Sequence, residues 1–403
     1  MKIKMRPEDF RVEELAGLPE GAGQVSIYRL DKTGLTTLEA VAAVARAFGL
    51  PRKLVRHAGL KDKHAVTSQH LWIDGGPEKS VTGAGLAVSF LRRAPAPPDP
   101  HGNRFAIVLR DLDPAEAPGL AAAAVSIAAD GVPNYYDSQR FGSARHGEGF
   151  IGKKILLHRY EDALQLFLAK PSDFDTEARR KRMLSFKRHW GQWEHCLEKA
   201  GTRAEAQIFG YLCRHRGDFA GALKLIERPM LAMFMHTYQS WLWNEAVSRF
   251  LKHSLPSDLL ASARYLGGRL VFHRFVPATL FAKWKSLEVP LLAYRTKFRD
   301  AEIERAYGEI LRAERIEQKE FKPAGHNMPW MKGEDRPLLM IPAGLAVTAS
   351  EQDELNPGRL KATVRFDLPR GGYATLVVKK LRLMISEGRE PGEEVEGVSR
   401  ESV

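Results

Sequence analysis

Cysteine is nearly absent from this chain of 403 residues, with only Cys196 and Cys213 present. Two cysteines cannot build a disulfide framework. They form no CxxC pair and no spacing that suits a tetrahedral zinc site, so a reducing compartment and no metal are expected. Long apolar runs are missing as well. No stretch approaches the ~18 residues needed to span a bilayer, and the start, MKIKMRPEDFRVEE, lacks the apolar core of a signal peptide. A cytoplasmic protein with no membrane partner is expected. The familiar motifs of cofactor chemistry are also lacking: there is no GxxxxGK[ST], HExxH or GxSxG, and GAGLAV at 83–88 lacks the third glycine of a dinucleotide loop. No cofactor is expected.

What remains is globular: 44% of residues are hydrophobic, and the length suits two or three domains. Sixty-one Lys and Arg against 49 Asp and Glu leave a formal charge of +12. That surplus is the electrostatic footprint of a nucleic-acid binder, although an anionic membrane or simple solubility would produce the same number.

The first third alternates strands and helices. Residues 7–15, 24–30, 64–73 and 103–112 carry strand patterns, and the Pro-rich stretch 94–102 reads as a loop. Thr36 and Glu39 form a capping box that opens a helix ended by Gly49, and an alanine-rich helix over 115–129 is stopped by Gly131. After about residue 150 the pattern turns helical, with candidates at 177–193, 204–215 and 230–253, the last apolar around most of its circumference and expected to be buried. Residues 325–337 read as a linker. Residues 361–381 return to strand, turn and strand, so a sheet domain built from both chain ends and interrupted by a helical insertion is expected.

Three polar clusters could carry chemistry. In AGLKDKHAVTSQ (58–69), Asp62 lies between Lys61 and Lys63 just before a strand. Alone, such a triplet is most simply a solvated turn, but flanking ammonium groups would also keep a carboxylate ionised. In NYYDSQRFG (134–142), amide and guanidinium groups are interleaved with aromatic rings, which suits either a sheet edge or the grip on an unstacked base. LPRGGYATLVVK (368–379) reads as a turn followed by an apolar strand.

With RPEDFRVEE (6–14) and GNRFAIVLR (102–110), these segments resemble the TruD family of tRNA pseudouridine synthases. GLKDKHAVTSQ follows the family's G-x-K-D-K-x-A-x-T-x-Q signature, and Asn134, Tyr135, Gln139, Arg140, Phe141 and Gly142 follow its NYFGxQRFG motif. Resemblance is strong over the first ~145 and last ~40 residues. It implies an α+β fold: a mixed-sheet pseudouridine synthase catalytic domain, 1–152 and 338–403, interrupted by a mostly helical TRUD insertion domain, 153–337. It also implies isomerisation of a tRNA uridine, usually position 13 in the D-arm, without cofactor; separately from the resemblance, a monomer with tRNA as its partner is expected. On this resemblance Asp62 is the catalytic carboxylate, and Lys61, Lys63, Asn134, Tyr136, Gln139, Arg140, Tyr373 and Lys379 bind substrate. Tyr136 and Asp137 depart from the family's Phe and Gly, and Gly372 and Lys379 from its usual Ser and Arg. Asp137 places a second carboxylate in the motif, but it has no basic neighbour in sequence and reads as a turn residue.

A catalytically silent RNA binder and a base-excising glycosylase are the competing readings, and the intact KDK triplet weighs against the first. A basic segment, EARRKRMLSFKRHWGQW (177–193), holds Arg179, Arg180, Lys181, Arg182, Lys187 and Arg188 with no acid from Ala178 to Trp193. Consecutive basic residues cover more of a helix than an amphipathic face needs, so these six are expected to face RNA, against the alternative of a solvated helix surface.

Overall fold

Alternation along Val66–Asp74 buries Thr67, Gln69, Leu71 and Ile73 on one face of an extended strand. Phe10–Gly17 repeats the pattern with Phe10, Val12 and Glu14. Such half-buried strands pair into one sheet. The computed structural model describes residues 1–142, 149–172, 175–322, 329 and 331–386. The described chain forms two compact units, one from Met1–Val132 and residues 340–386, the other from Pro133–Leu339.

The first unit holds a ten-stranded mixed sheet. Its strands run in the order Ala343–Val347, Leu360–Pro369, Asp99–Leu112, Phe10–Gly17, Val66–Asp74, Val25–Lys32, Leu86–Ala94 and Val81–Gly83, with two short strands off this path. Phe10–Gly17 and Val66–Asp74 pair in parallel, and the other pairings are antiparallel. The crossover between the parallel strands contains the Thr37–Phe48 helix, which packs Ala40, Val41, Val44 and Ala45 on Tyr28, Leu30, Leu71, Ile73 and Val88. The expected capping box forms, with Glu39 N–H donating to Thr36 and Thr36 N–H to the Glu39 carboxylate, and Gly49 ends the helix at φ 66°. The alanine-rich helix spans Gly119–Asp130.

Gly102 shows why a glycine opens the GNRF segment. A Cβ there would meet the Leu368 carbonyl oxygen at 2.5 Å, where the Asp99–Leu112 and Leu360–Pro369 strands come together. The Pro-rich stretch is not all loop, since the strand already begins at Asp99. Residues 374–385 are also corrected: they form a helix, Ala374–Ile385, and not a second strand. Ala374, Val377, Val378, Leu381 and Ile385 are buried at helical spacing, and that period outweighs the strand preference of the two valines.

The N-terminal segment is tied down by a buried cation. Lys2 and Arg110 exchange backbone hydrogen bonds of 2.7 and 2.8 Å. The Arg110 guanidinium grips Asp9 with two bonds of 2.9 Å and reaches Asp353 at 2.8 Å and Glu354 at 3.0 Å.

The second unit is mostly helical, as expected. Its longest element, Arg228–Ser254, buries Leu231, Phe234, Tyr238, Leu242, Trp243, Val247 and Phe250 around its circumference. Two corrections apply. Leu260–Tyr265 and Gly268–His273 form a hairpin in a region expected to lack strands. The linker expected over 325–337 lies partly outside the described residues, and within them Asp335–Pro337 is a strand paired with Glu288–Pro290. Among the described residues no helix is long and apolar enough to cross a membrane.

Candidate active site

Asp62 sits in the loop that leads into Val66–Asp74, and buried side chains hold that loop. Lys32, only 2% exposed, donates to the carbonyls of Leu35 at 2.7 Å, Asp62 at 2.8 Å and Lys61 at 3.3 Å. Burial pulls this ammonium down to about 8, against the attraction of Asp62. Thr37 accepts from the Lys61 N–H at 2.9 Å and donates to Gln69, whose amide donates to the Gly59 carbonyl at 3.1 Å. A loop whose backbone is bonded at four points presents its side chain at little entropic cost.

The cation on Asp62 is neither neighbouring lysine, and this corrects the expected clamp. Lys4 Nζ lies 2.6 Å from Asp62 Oδ2, and the His64 N–H donates to Oδ1 at 3.0 Å. Lys61 turns instead to Asn103 at 2.5 Å and to Glu14 at 3.5 Å. Glu14 also accepts from the His70 backbone at 3.0 Å. Burial alone would push the Asp62 carboxyl up, but the Lys4 charge and hydrogen bond, with the His64 N–H, hold it below the usual aspartate value. The Lys4 ammonium also sits 4.4 Å from the centroid of the Phe10 ring. Lys63 is half-exposed. Tyr373 caps the N-terminus of the Ala374–Ile385 helix, and Lys379, within that helix, is 3% exposed.

The second unit carries the other cluster. Arg336, missed in the sequence because it lies in an apparent linker, is its hub. It donates to the Asn134 backbone carbonyl and to Asn134 Oδ1, both at 2.7 Å, and its guanidinium lies 4.4 Å from the Tyr136 ring centroid. Asn244 fixes the Tyr136 backbone at both ends, accepting from its N–H at 2.9 Å and donating to its carbonyl at 2.8 Å. Trp243 meets the Tyr136 ring edge-on at 5.9 Å. Arg140 donates to Ser240 at 3.2 Å, and Gln139 is exposed. Asp137 accepts from the Ser138 N–H at the start of a short turn of helix, the turn role expected of it. Tyr135 is core, with its hydroxyl bonded to the Val271 carbonyl.

The family profile described as tRNA pseudouridine synthase D (TruD) matches residues 1–381. The chain belongs to the TruD family. It is 30% identical over 394 residues to "Probable tRNA pseudouridine synthase D 1" of Methanococcus maripaludis, covering 94% of this chain and 99% of the relative. Identity to the tRNA pseudouridine synthase D of Aquifex aeolicus is 29%, over 94% of this chain and 98% of that one. A crystal structure of the Methanosarcina mazei protein described as TruD matches with a TM-score of 0.74 at 25% identity, covering 94% of this chain and 93% of that chain. The α+β fold with its large mixed sheet and helical region is thus the TruD fold, and the activity class is that of a tRNA pseudouridine synthase, an isomerase.

In this TruD chain the basic segment forms the Glu177–Arg188 helix, and its own Glu177 together with acids outside the segment meets part of its charge. Arg179 pairs with Asp175 at 3.1 Å, Lys181 with Glu177 at 2.7 Å and Arg182 with Glu205 at 3.4 Å, while Arg180 donates to the Ser172 carbonyl. Lys187 and Arg188 are exposed.

The Lys4–Asp62 pair makes a prediction about pH. With Lys4→Met, only the His64 contacts are left to oppose burial, so the carboxyl pKa rises and the acid limb of the kcat/KM profile should move to higher pH. Activity measured on that limb should fall markedly while the plateau above it is kept. Lys4→Arg should restore most of it. An acid limb that stays in place would show that Lys4 does not set the Asp62 charge. The sign for stability follows the same shift. The folded pKa is depressed, so the pair stabilises above the unfolded carboxylate value, and that contribution is lost as pH falls through the folded one.

Proposed function

We propose that Asp62 is the carboxylate with which this TruD enzyme isomerises uridine 13 in the D-arm of tRNA to pseudouridine. The observation that carries this is an aspartate bonded by the Lys4 ammonium and the His64 N–H, on a loop pinned by Lys32, Thr37 and Gln69. The reaction breaks the bond from the ribose to uracil N1 and forms one to C5. C5 loses its proton and N1 gains one, so mass is unchanged and no oxidant or cofactor is consumed. An anion that attacks the sugar, adds to the base or removes a sugar proton would each serve, and all three require Asp62 unprotonated. Reaching the ribose–base bond calls for a base taken out of its stack.

On this reading Asn134 and Tyr136 act on the uracil, and Lys61, Lys63, Gln139, Arg140, Tyr373 and Lys379 support the bound nucleotide. Lys61 would do so by ordering Glu14 and Asn103. The insertion domain is the span 153–337, and the exposed Lys187 and Arg188 are the members of the basic helix best placed to meet phosphate. The direct test is release of label from tRNA carrying tritium at uracil C5, combined with mapping of the product. Release at one D-arm position supports the proposal. Free uracil would indicate a glycosylase, and no release a silent binder.

Tyr136→Phe should be nearly silent in this assay because the ring carries the stacking, whereas Tyr136→Ala should cost about 1–3 kcal/mol in kcat/KM. A Phe variant as impaired as the Ala variant would place the role on the hydroxyl.

A further inference from the structure

We propose that a groove in the second unit, formed around residues 290–299, is an additional RNA-binding surface that takes the phosphate–ribose chain close to the target uridine. The inference rests on the proposed function for RNA as substrate, but its observations are separate. The groove has a volume of about 960 Å³ and is lined by Tyr294, Arg295, Lys297, Arg299 and Lys322. Glu334 and Asp335 also line it, and Arg299 approaches Asp335 at 3.7 Å. That pair is solvent-exposed and contributes little. Arg295, Lys297 and Lys322 are exposed and make no ion pair among the described residues, unlike Arg179, Lys181 and Arg182 of the basic helix. Three cations without an ion pair among the described residues line one concave surface, where with Arg299 they outnumber Glu334 and Asp335, an arrangement that attracts a polyanion.

The loop presenting them is locked. Thr296 Oγ1 accepts from the Ala293 N–H at 2.8 Å and donates to the Leu291 carbonyl at 3.2 Å. The Gln318 amide donates to the carbonyls of Ala293 at 3.2 Å and Thr296 at 2.8 Å. Beneath it the Phe298 ring packs at 5.3 Å on Tyr307, which is fully buried. A merely solvated loop has no need of such bracing, whereas a binding loop held rigid loses less entropy on association. Tyr294, 38% exposed, lines the groove together with the cations, and an aromatic ring beside cations suits a nucleotide strand better than an acidic peptide.

Position links the groove to the site. Pro290 pairs with Asp335, and the next pair along the same ribbon is Val289 with Arg336, the residue over the Tyr136 ring. The ribbon thus joins Asp335, which lines the groove, to its sequence neighbour Arg336, which lies over Tyr136.

The test compares two triple variants that remove the same charge from the second unit. One replaces Arg295, Lys297 and Lys322 with Gln, and the other replaces the exposed Lys199, Arg203 and Lys224 with Gln. Both are titrated with a fluorescein-labelled, unmodified full-length tRNA transcript at several salt concentrations. The groove variant should weaken binding about tenfold or more and lower the slope of log K against log salt by roughly 0.7 per lost contact, the control staying within about twofold of wild type. Turnover at saturating tRNA should be unchanged in both. Tyr294→Ala should weaken binding and Tyr294→Phe should not. Equal weakening by the two triple variants, or none by the groove variant, would overturn the proposal. Tritium release by the unmutated enzyme, measured on the same transcript, separates that outcome from a failure of the proposed function.

Discussion

Asp62→Asn is expected to leave the chain folded and bound to tRNA yet without measurable pseudouridine formation, a loss of at least about 10²-fold and more where the carboxylate is also the nucleophile. The amide is nearly isosteric. Its oxygen can still accept from the His64 N–H, as Asp62 does at 3.0 Å, so the loop stays pinned through Lys32, Thr37 and Gln69. The anion is what disappears. Lys4 would then face an amide across a gap that is 2.6 Å in the wild type, an unpaired cation in a half-buried place, and a modest loss of stability should accompany the loss of turnover. Thermal melting and tRNA titration on the same preparation separate the two effects. Substantial turnover in Asp62→Asn, with turnover lost instead in Asp137→Asn, would move the chemistry to the second carboxylate.

Arg110→Met should be strongly destabilising. The Arg110 side chain is 5% exposed, and its partners Asp9 and Asp353 are 2% and 0% exposed. Removing one partner of such a network leaves buried carboxylates uncompensated, at a cost of about 3–5 kcal/mol. Burial would raise the Asp353 carboxyl, but hydrogen bonds from the Asp111 and Leu355 N–H groups, from Asn356 and from Arg110 hold it below its ordinary value. Its stabilising contribution is therefore present above the unfolded carboxylate pKa and lost as pH falls, so the gap between wild type and variant should narrow on acidification. Urea denaturation of the full chain at pH 7 and near pH 4 measures both. A loss under about 1 kcal/mol would mean that the methionine packs well enough to replace the network. Because Arg110 also brackets Lys4, through its backbone bonds to Lys2 and its grip on Asp9, the variant should show a displaced acid limb as well.

Local signals were legible and tertiary ones were not. Thr36, Glu39 and Gly49 mark a helix because each acts on backbone within four residues. The KDK triplet located the loop of Asp62 but suggested the wrong cation, since Lys4 is 58 residues away and only the fold brings it near. The basic helix looked unneutralised because Asp175 and Glu205 lie outside the window in which its charges were counted. Arg336 was hidden in a stretch whose Gly, Asp and Pro read as linker. Two valines at 377 and 378 drew a strand assignment, although apolar residues at 374, 377, 378, 381 and 385 already had the period of a helix.

The order of strands in the sheet has a consequence for synthesis. Asp99–Leu112 lies between Phe10–Gly17 and Leu360–Pro369, so one of its edges stays open until the last main strand has been made. The ribosome must first translate all of Pro133–Leu339. During that interval the nascent chain carries an unpaired edge bearing Phe105, Ile107 and Leu109, the kind of template on which other chains add. Translation paused inside the second unit, or a message truncated there, should therefore yield aggregates nucleated at residues 103–112, and nascent chains of that length should need a chaperone until residue 369 has cleared the exit tunnel.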